Sequence, residues 1–166
     1  MFIGFTGSLG SGKTASMTFW GAYFAYKTGM PVYSNYALSM PREIKTQLID
    51  SWDALTRITN GIVLLDELHI TFDSRLWSNT AKRTHFLLQT RKKNLVVMFT
   101  TQHISQVDKR IRNICDYVLL CEKKAGQFRN SVIHFLTNEL GRQLLLKNMR
   151  PVYDWYNTFE IVNYIK

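Results

Sequence analysis

The stretch that decides the fold is Gly7-Ser8-Leu9-Gly10-Ser11-Gly12-Lys13-Thr14, which reads G-x-x-x-x-G-K-T. It follows a short apolar run, Met1 to Phe5. It opens a proline-free segment, Thr14 to Lys27, in which apolar and aromatic residues recur at helical intervals. A strand, a glycine-rich loop and a helix in this order are the context in which the motif binds a nucleoside triphosphate. A chance glycine-rich turn is disfavoured, because every fixed position of the motif matches.

Each residue type in this phosphate loop has a chemical reason to be there. Glycines let the backbone N–H groups turn inward toward the α- and β-phosphates, and the following helix adds the positive end of its dipole. Lys13 is expected to reach the β- and γ-phosphates, and the Thr14 hydroxyl to bind Mg²⁺. The predicted nucleotide-binding residues are Gly7, Ser8, Leu9, Gly10, Ser11, Gly12, Lys13, Thr14 and Ala15.

Length and composition favour one globular domain over residues 1–166. A chain of 166 residues that is 46% hydrophobic can bury a sizeable core. No apolar stretch approaches the length of a membrane span, and the apolar N-terminus has no basic region ahead of it and continues straight into the phosphate loop. We therefore expect neither a signal peptide nor an anchor, and no direct membrane insertion. Cys115 and Cys121 are expected to be buried free thiols, with a disulfide left open. An ATP site favours the cytoplasm.

The charge balance favours a polyanionic partner. The chain has 21 Lys and Arg against 12 Asp and Glu, a formal net charge of +9. Such a balance favours polyanionic partners through counterion release, although net charge alone does not identify one and a basic surface that binds nothing is also compatible with it. The basic groups are spread through the chain, at Lys82-Arg83, Arg91-Lys92-Lys93, Lys109 to Arg112 and Lys123-Lys124.

The rest of the sequence predicts strands that alternate with helices. A short strand is expected at Pro31 to Ser34. A helix capped by Ser51 is expected to run through Arg57 and to stop at Asn60-Gly61. Apolar runs typical of buried parallel strands follow at Ile62–Leu65, Leu95–Gln102 and Tyr117–Leu120. This order predicts an α/β fold with a mostly parallel central sheet flanked by helices.

The last third predicts a different pairing. Arg129 to Leu136 and Gln143 to Met149 are expected to be antiparallel strands at the sheet edge, joined around Asn138 to Gly141 and preceded by a turn at Ala125-Gly126. The aromatic segment from Tyr153 to Phe159 is expected to pack back on the body.

Polar residues at two strand ends supply the second half of a hydrolytic site. Asp66 can hold Mg²⁺, and Glu67 can orient or deprotonate an attacking water. Gln102 ends the next strand, where its amide can sense the γ-phosphate, although a simple polar strand end explains it equally well.

Together these features resemble the FtsK–HerA superfamily of DNA-pumping ATPases. The resemblance rests on the phosphate loop, Leu64 to Glu67, and Arg91 ahead of a strand that ends Thr-Thr-Gln102. The Val32 to Tyr36 run and the segment from Asp66 to Arg75 are more narrowly similar to two groups. These are the genome-packaging ATPases of membrane-containing icosahedral viruses and the Zot-type proteins of filamentous phages.

The resemblance implies a RecA-like P-loop NTPase fold and a motor that acts as a ring. It implies catalytic roles for Lys13, Glu67, Gln102 and Arg91, Mg²⁺ held by Thr14 and Asp66, and ATP as the substrate. Arg91 would be the arginine finger that acts on a neighbouring subunit, with Arg75, Arg110 and Arg112 as rivals and a solvated or DNA-facing charge as an equal alternative. The expected partners are double-stranded DNA, further copies in a hexameric ring, and capsid or portal vertex proteins, in the host cytoplasm or the virion.

Between the two narrower groups, the sequence favours packaging of DNA into a preformed capsid, because no accessory domain or membrane segment is visible in it. The same motor serving DNA export or conjugation is the main alternative. A small-molecule kinase would not need Glu67 or Gln102. A nucleotide switch that reads guanine would need an N-K-x-D element, which this chain lacks.

Overall fold

The computed structural model of the protein describes residues 1–68, 86, 89–107, 109–133 and 140–157. Several predictions made from the sequence concern residues outside these ranges. They concern Arg75, the Lys82-Arg83 pair, the Asn138 end of the predicted connection and Phe159.

The central sheet has eight strands in the order β3-β2-β4-β5-β1-β6-β7-β8. All pairings from β3 across to β6 are parallel, and those of β7 with β6 and with β8 are antiparallel. The strands are β1 (Phe2–Thr6), β2 (Val32–Ser34), β3 (Thr46–Leu48), β4 (Gly61–Leu65), β5 (Leu95–Thr101), β6 (Tyr117–Lys124), β7 (Gln127–Ile133) and β8 (Leu140–Leu146). The predicted α/β fold with antiparallel strands near the C-terminus is therefore confirmed.

In the part of the chain that the structure describes, the helices α1 to α4 and one 3₁₀ turn accompany the sheet. Ser51 begins the second helix, and its hydroxyl accepts a hydrogen bond from the Ala54 N–H, as the capping pattern predicted. The first helix ends at Gly29, which adopts a left-handed conformation. The helices are α1 (Lys13–Thr28), α2 (Trp52–Arg57), α3 (Lys109–Arg112) and α4 (Arg150–Tyr153), and the 3₁₀ turn is Ile104–Gln106.

Some boundaries differ from the prediction. Strand β3 was missed, because all three of its residues are exposed at the sheet edge and no alternation marks a buried face. Gly61 begins β4 instead of ending α2, and a Cβ there would lie 2.6 Å from the Tyr33 ring. Strand β8 ends at Leu146, before Asn148 turns into a left-handed conformation with φ 56°. The Ala125-Gly126 turn lies where it was predicted, between β6 and β7.

The core lies on both faces of the central strands. In β4, Val63 and Leu65 pack with Leu55 of α2 on one face, and Ile62 and Leu64 pack on the other face, where α1 lies. Because both faces are covered, these strands are continuous apolar runs, as expected for a buried parallel sheet.

The C-terminal aromatic residues close the face that α1 covers. Tyr153, Trp155 and Tyr156 pack against a cluster that includes Ala15 of α1. The Trp155 carbonyl accepts a hydrogen bond of 2.7 Å from the Ser39 N–H. The prediction that the described part of this segment packs on the body is confirmed.

The two cysteines are free, and no disulfide joins them. Burial raises the pKa of both thiols to about 12. Among the described residues, no helix is long and apolar enough to cross a membrane.

A buried polar network fastens α1 to the antiparallel part of the sheet. The Asn130 amide, with a fully buried side chain, accepts a hydrogen bond of 3.1 Å from the Trp20 indole N–H. It also donates one of 3.0 Å to the Ser16 hydroxyl. Trp20 and Ser16 both belong to α1, so Asn130 holds the phosphate-loop helix against β7.

We predict that Asn130→Ala lowers the free energy of unfolding by about 1–3 kcal/mol, because it leaves buried polar groups of α1 without partners. Urea unfolding measures the change, and Asn113→Ala, at an exposed position, is the matched control. Equal stability of the two variants would contradict the role assigned to the network.

Candidate nucleotide-binding site

The carboxyl ends of the parallel strands place the predicted residues along one edge of the sheet. The Gln102 carbonyl, just past β5, accepts hydrogen bonds from the Gly7 N–H at 3.3 Å and the Thr6 hydroxyl at 3.0 Å. Asp66 and Glu67 follow β4, which is the next strand beyond β5. The structure thus brings the phosphate loop, the acidic pair and Gln102 together.

The phosphate loop has a backbone that only glycine adopts readily. Gly7, Gly10 and Gly12 have φ values of 149°, 74° and 83°. Gly12 is also tightly packed, since a Cβ there would lie 2.4 Å from an atom of the Phe128 ring. A side chain at Gly12 is therefore excluded by conformation and by contact.

The loop and the start of α1 fit a bound phosphate chain. The N-terminus of this 16-residue helix has no side-chain cap and no acidic residue in its first turn, so its N–H groups face an anion site without a competing acceptor. The Ser11 hydroxyl is buried and has no hydrogen-bond partner among the described residues. A phosphate oxygen would satisfy these donors.

Lys13 lies over the loop. Its ammonium donates hydrogen bonds to the carbonyls of Gly7 at 3.0 Å and Ser8 at 2.9 Å. The loop carbonyls thus hold the positive charge of Lys13 beside the N–H groups that would bind phosphate. The contact of Lys13 with the β- and γ-phosphates stays a prediction.

Asp66 is the centre of a polar cluster that fits Mg²⁺. Its carboxylate accepts a hydrogen bond of 3.1 Å from the Thr14 hydroxyl and one of 2.5 Å from the Thr100 hydroxyl. Burial raises the pKa of Asp66, while the two hydroxyls and the Lys13 charge oppose the rise and Glu67 adds to it. A carboxylate and a hydroxyl in contact are the oxygen ligands that Mg²⁺ uses beside a triphosphate.

The backbone of the acidic pair is held by neighbouring strands. The Asn35 side chain accepts a hydrogen bond of 2.8 Å from the Asp66 N–H and donates one of 3.0 Å to the Asp66 carbonyl. The Glu67 N–H donates to the Thr100 hydroxyl at 2.8 Å. Glu67 has a φ of 52°, a left-handed conformation that is rare outside glycine. Such strain at a site is maintained only where the surroundings impose it.

Asn35 and Thr100 were not predicted as site residues. Asn35 directly follows β2, and Thr100 is the first of the two threonines that end the apolar β5 run. Both are buried, and both contact the acidic pair. The signal was a polar residue near a strand end, but only the sheet order shows that these strands flank β4.

Arg91 lies just before β5, at the end of the sheet where the parallel strands begin and opposite the phosphate loop. Its guanidinium is 2.7 Å from the Asp116 carboxylate, and its side chain is 79% exposed. A cavity of about 340 Å³ lies beside this pair, is lined in part by Met1 and Cys115, and includes no residue of the phosphate loop. Arg91 is therefore not part of its own subunit's phosphate site, and a role on a neighbouring subunit stays a prediction.

A family model described as zonular occludens toxin (Zot) matches residues 37–157, well over half of the chain. The protein belongs to the Zot family. Of the two narrower groups that the sequence resembles, this membership selects the Zot-type proteins. The match begins after the phosphate loop, which lies in residues 7–14.

Individual proteins extend this result. The structure is similar to the N-terminal domain of zonular occludens toxin from Neisseria meningitidis, with a TM-score of 0.70 and 18% sequence identity. The match covers 93% of this chain and 97% of that domain. The DNA-packaging ATPase B204 from Sulfolobus turreted icosahedral virus has a TM-score of 0.59 at 8% identity, over 84% of this chain and 95% of that one. These likenesses show a shared fold.

A curated relative matches over a shorter region. The Gene 1 protein of Enterobacteria phage I2-2 is 34% identical over 67 residues, which are 39% of this chain. The match spans only 18% of the length of that phage protein.

We predict that Thr100→Val lowers the free energy of unfolding by about 1–3 kcal/mol, because Asp66 loses a donor and the Glu67 N–H loses its acceptor. Urea unfolding measures the loss. The exposed Thr46→Val on β3 is the control for replacing a threonine in a strand. Equal effects of the two substitutions would show that Thr100 does not organise the acidic pair.

Proposed function

We propose that this domain hydrolyses ATP and couples hydrolysis to the movement of phage DNA. One observation carries the proposal. The phosphate loop, the Asp66-Glu67 pair and Gln102 lie together at the carboxyl ends of the parallel strands. A small-molecule kinase would also need an acceptor site and an arginine-rich lid, and it would not need both an acid and an amide at this place. Hydrolysis uses both.

Each residue has a role that its position supports. The loop N–H groups and Lys13 bind the phosphates, and Thr14 and Asp66 would hold Mg²⁺, which neutralises charge on the β- and γ-phosphates when bound. Glu67 orients the attacking water and accepts its proton. Gln102, whose backbone is bonded to Gly7, senses the γ-phosphate through its side-chain amide.

The cargo is inferred from charge and family. The net charge of +9 favours a polyanion. The basic groups proposed for this contact are Lys82-Arg83, Lys92-Lys93 and Lys109-Arg110. Of these, Lys92, Lys109 and Arg110 are exposed, on segments that precede β5 and β6. They are the candidates for contacts to DNA phosphates, which hold the strand without reading its bases.

The motor would move the DNA to one of two destinations, out of the host cell or into a capsid. Membership of the Zot family favours export of the phage genome from the host cell, the alternative that the sequence left open. Packaging of double-stranded DNA into a preformed capsid, which the sequence favoured, remains the second candidate because the packaging ATPase B204 shares the fold.

The motor is proposed to act as a ring, with a hexamer expected, in the cytoplasm of the infected cell or at the virion. Arg91 would act on the γ-phosphate of the neighbouring subunit, which suits its exposed position at the sheet edge opposite its own phosphate loop. Capsid or portal vertex proteins would be partners in packaging only.

The first test is ATP hydrolysis by the wild-type protein and by Glu67→Gln, without DNA and with single- or double-stranded DNA. We expect DNA to stimulate turnover, and Glu67→Gln to lower it by about 10²-fold or more, the loss typical of removing a general base. The exposed Glu43→Gln is the matched control and keeps wild-type turnover.

The outcomes separate the competing functions. Stimulation by single-stranded DNA supports export of a single-stranded genome, and preference for double-stranded DNA supports packaging. Turnover that ignores DNA but requires a nucleoside acceptor would replace the motor by a kinase.

A second test compares Arg91→Ala with Asp116→Asn. If Arg91 acts on a neighbour, Arg91→Ala abolishes turnover, and mixing it with inactive Glu67→Gln subunits restores part of it. Asp116→Asn weakens the ion pair but leaves the arginine in place, so turnover remains. Equal losses in both variants, with no recovery on mixing, would assign the pair a structural role instead.

A further inference from the structure

We propose that Tyr153 and Lys123 form the site for the nucleobase of the bound nucleotide, with the base stacked on the Tyr153 ring beside the Lys123 ammonium. The proposal rests on the proposed nucleotide-hydrolysing function. It assigns binding of the base to α4 and the β6–β7 hairpin, which contain none of the predicted phosphate or metal ligands.

The sheet order sets the direction in which the nucleotide extends. The groups proposed to act at the γ-phosphate, Asp66, Glu67 and Gln102, come from β4 and β5, on one side of β1. The phosphate loop leaves the end of β1 itself. A nucleotide with its γ-phosphate on the β4–β5 side therefore places its nucleoside toward β6 and β7.

The β6–β7 hairpin extends past the carboxyl end of β1, on the side where the nucleoside would lie. Thr6, the last residue of β1, pairs with Leu120, so β6 continues from Cys121 to Lys124 alongside the phosphate loop. The contacts with the loop are close, since a Cβ at Gly7 would lie 2.6 Å from the Cys121 carbonyl oxygen. The hairpin thus forms a wall beside the phosphates.

The wall bears aromatic and cationic groups. The buried Phe128 ring lies against Gly12, and its centroid is 5.8 Å from that of Tyr153. The Lys123 ammonium is 5.4 Å from the Tyr153 centroid and donates a hydrogen bond of 3.3 Å to the Tyr153 hydroxyl. The Tyr153 ring also stacks on Tyr156, with centroids 6.3 Å apart, so a base would stack on the part of the ring that Phe128 and Tyr156 leave exposed. Tyr153 is partly exposed and Lys123 is exposed.

This combination suits a nucleobase. Every base has a π face that stacks on an aromatic ring, and the ammonium adds a donor for the ring nitrogens or the carbonyl oxygens of the base. Phe128 supports Tyr153 from the buried side and sets its distance from the loop. Phe128 and Tyr153 also pack in the apolar cluster that includes Ala15, so the proposed base site lies against the start of α1.

The test compares a ligand that has a base with one that lacks it. Equilibrium binding of ATP and of inorganic tripolyphosphate, both with Mg²⁺, is measured for wild type, Tyr153→Ala, Tyr153→Phe and Lys123→Ala. Lys124→Ala is the matched control, because it removes the same charge from the same exposed hairpin.

We expect Tyr153→Ala to weaken ATP binding by about 5- to 100-fold, the range for loss of one base–aromatic stack, while tripolyphosphate binding is unchanged. Tyr153→Phe keeps ATP affinity because the ring remains. Lys123→Ala weakens ATP binding and Lys124→Ala does not. If Tyr153→Ala fails to fold, the exposed Lys123→Ala and Lys124→Ala pair still decides the question.

Two results would overturn the base site alone: equal weakening of both ligands, or ATP binding that is unchanged in Tyr153→Ala and in Lys123→Ala. Wild-type protein that binds neither ligand would instead overturn the proposed function, and the base site with it. Where the wild type binds both ligands, Lys13→Ala is expected to lose both, which would show that the measured binding is at the phosphate loop.

Discussion

The parallel pairing of β1 between β5 and β6 is the constraint on which the rest of the structure depends. Its register sets Thr6 beside Thr101 on one side and beside Leu120 on the other. The chain that leaves β1 therefore lies between the end of β5 and the part of β6 that continues from Cys121. The Gly7 N–H donates a hydrogen bond to the Gln102 carbonyl. A shift of one residue in this pairing would turn every side chain of β1 to the other face and move the phosphate loop away from Gln102.

Features with a local mechanism could be predicted from the sequence. The phosphate loop, the Ser51 cap and the Ala125-Gly126 turn each depend on residues within a few positions of one another. The apolar runs of β4 and β5 could be predicted as strands equally well, because strands covered on both faces do not alternate apolar with polar residues. Asp66, Glu67 and Gln102 were found because they follow such runs, although their roles remain predictions.

Features that depend on which strands are neighbours could not be predicted. Asn35 lies 31 positions from Asp66 in sequence, and Thr100 lies 34 positions away. Only the order of β2, β4 and β5 brings their hydrogen bonds to the acidic pair. Strand β3 lacks a buried face and so leaves no pattern. Likewise, Phe128 reads as an ordinary strand residue until its contact with Gly12 places the β6–β7 hairpin beside the phosphates.

The most direct measurement is the affinity for ATP, with and without Mg²⁺, of the wild-type protein and of Asp66→Asn. The account predicts that Mg²⁺ strengthens binding to the wild type by about tenfold or more, equivalent to 1.4 kcal/mol or more. It predicts that Asp66→Asn, which keeps the shape of the side chain but removes its charge, loses that gain. Binding that is equally tight without Mg²⁺, or a gain from Mg²⁺ that survives in Asp66→Asn, would contradict the site described above.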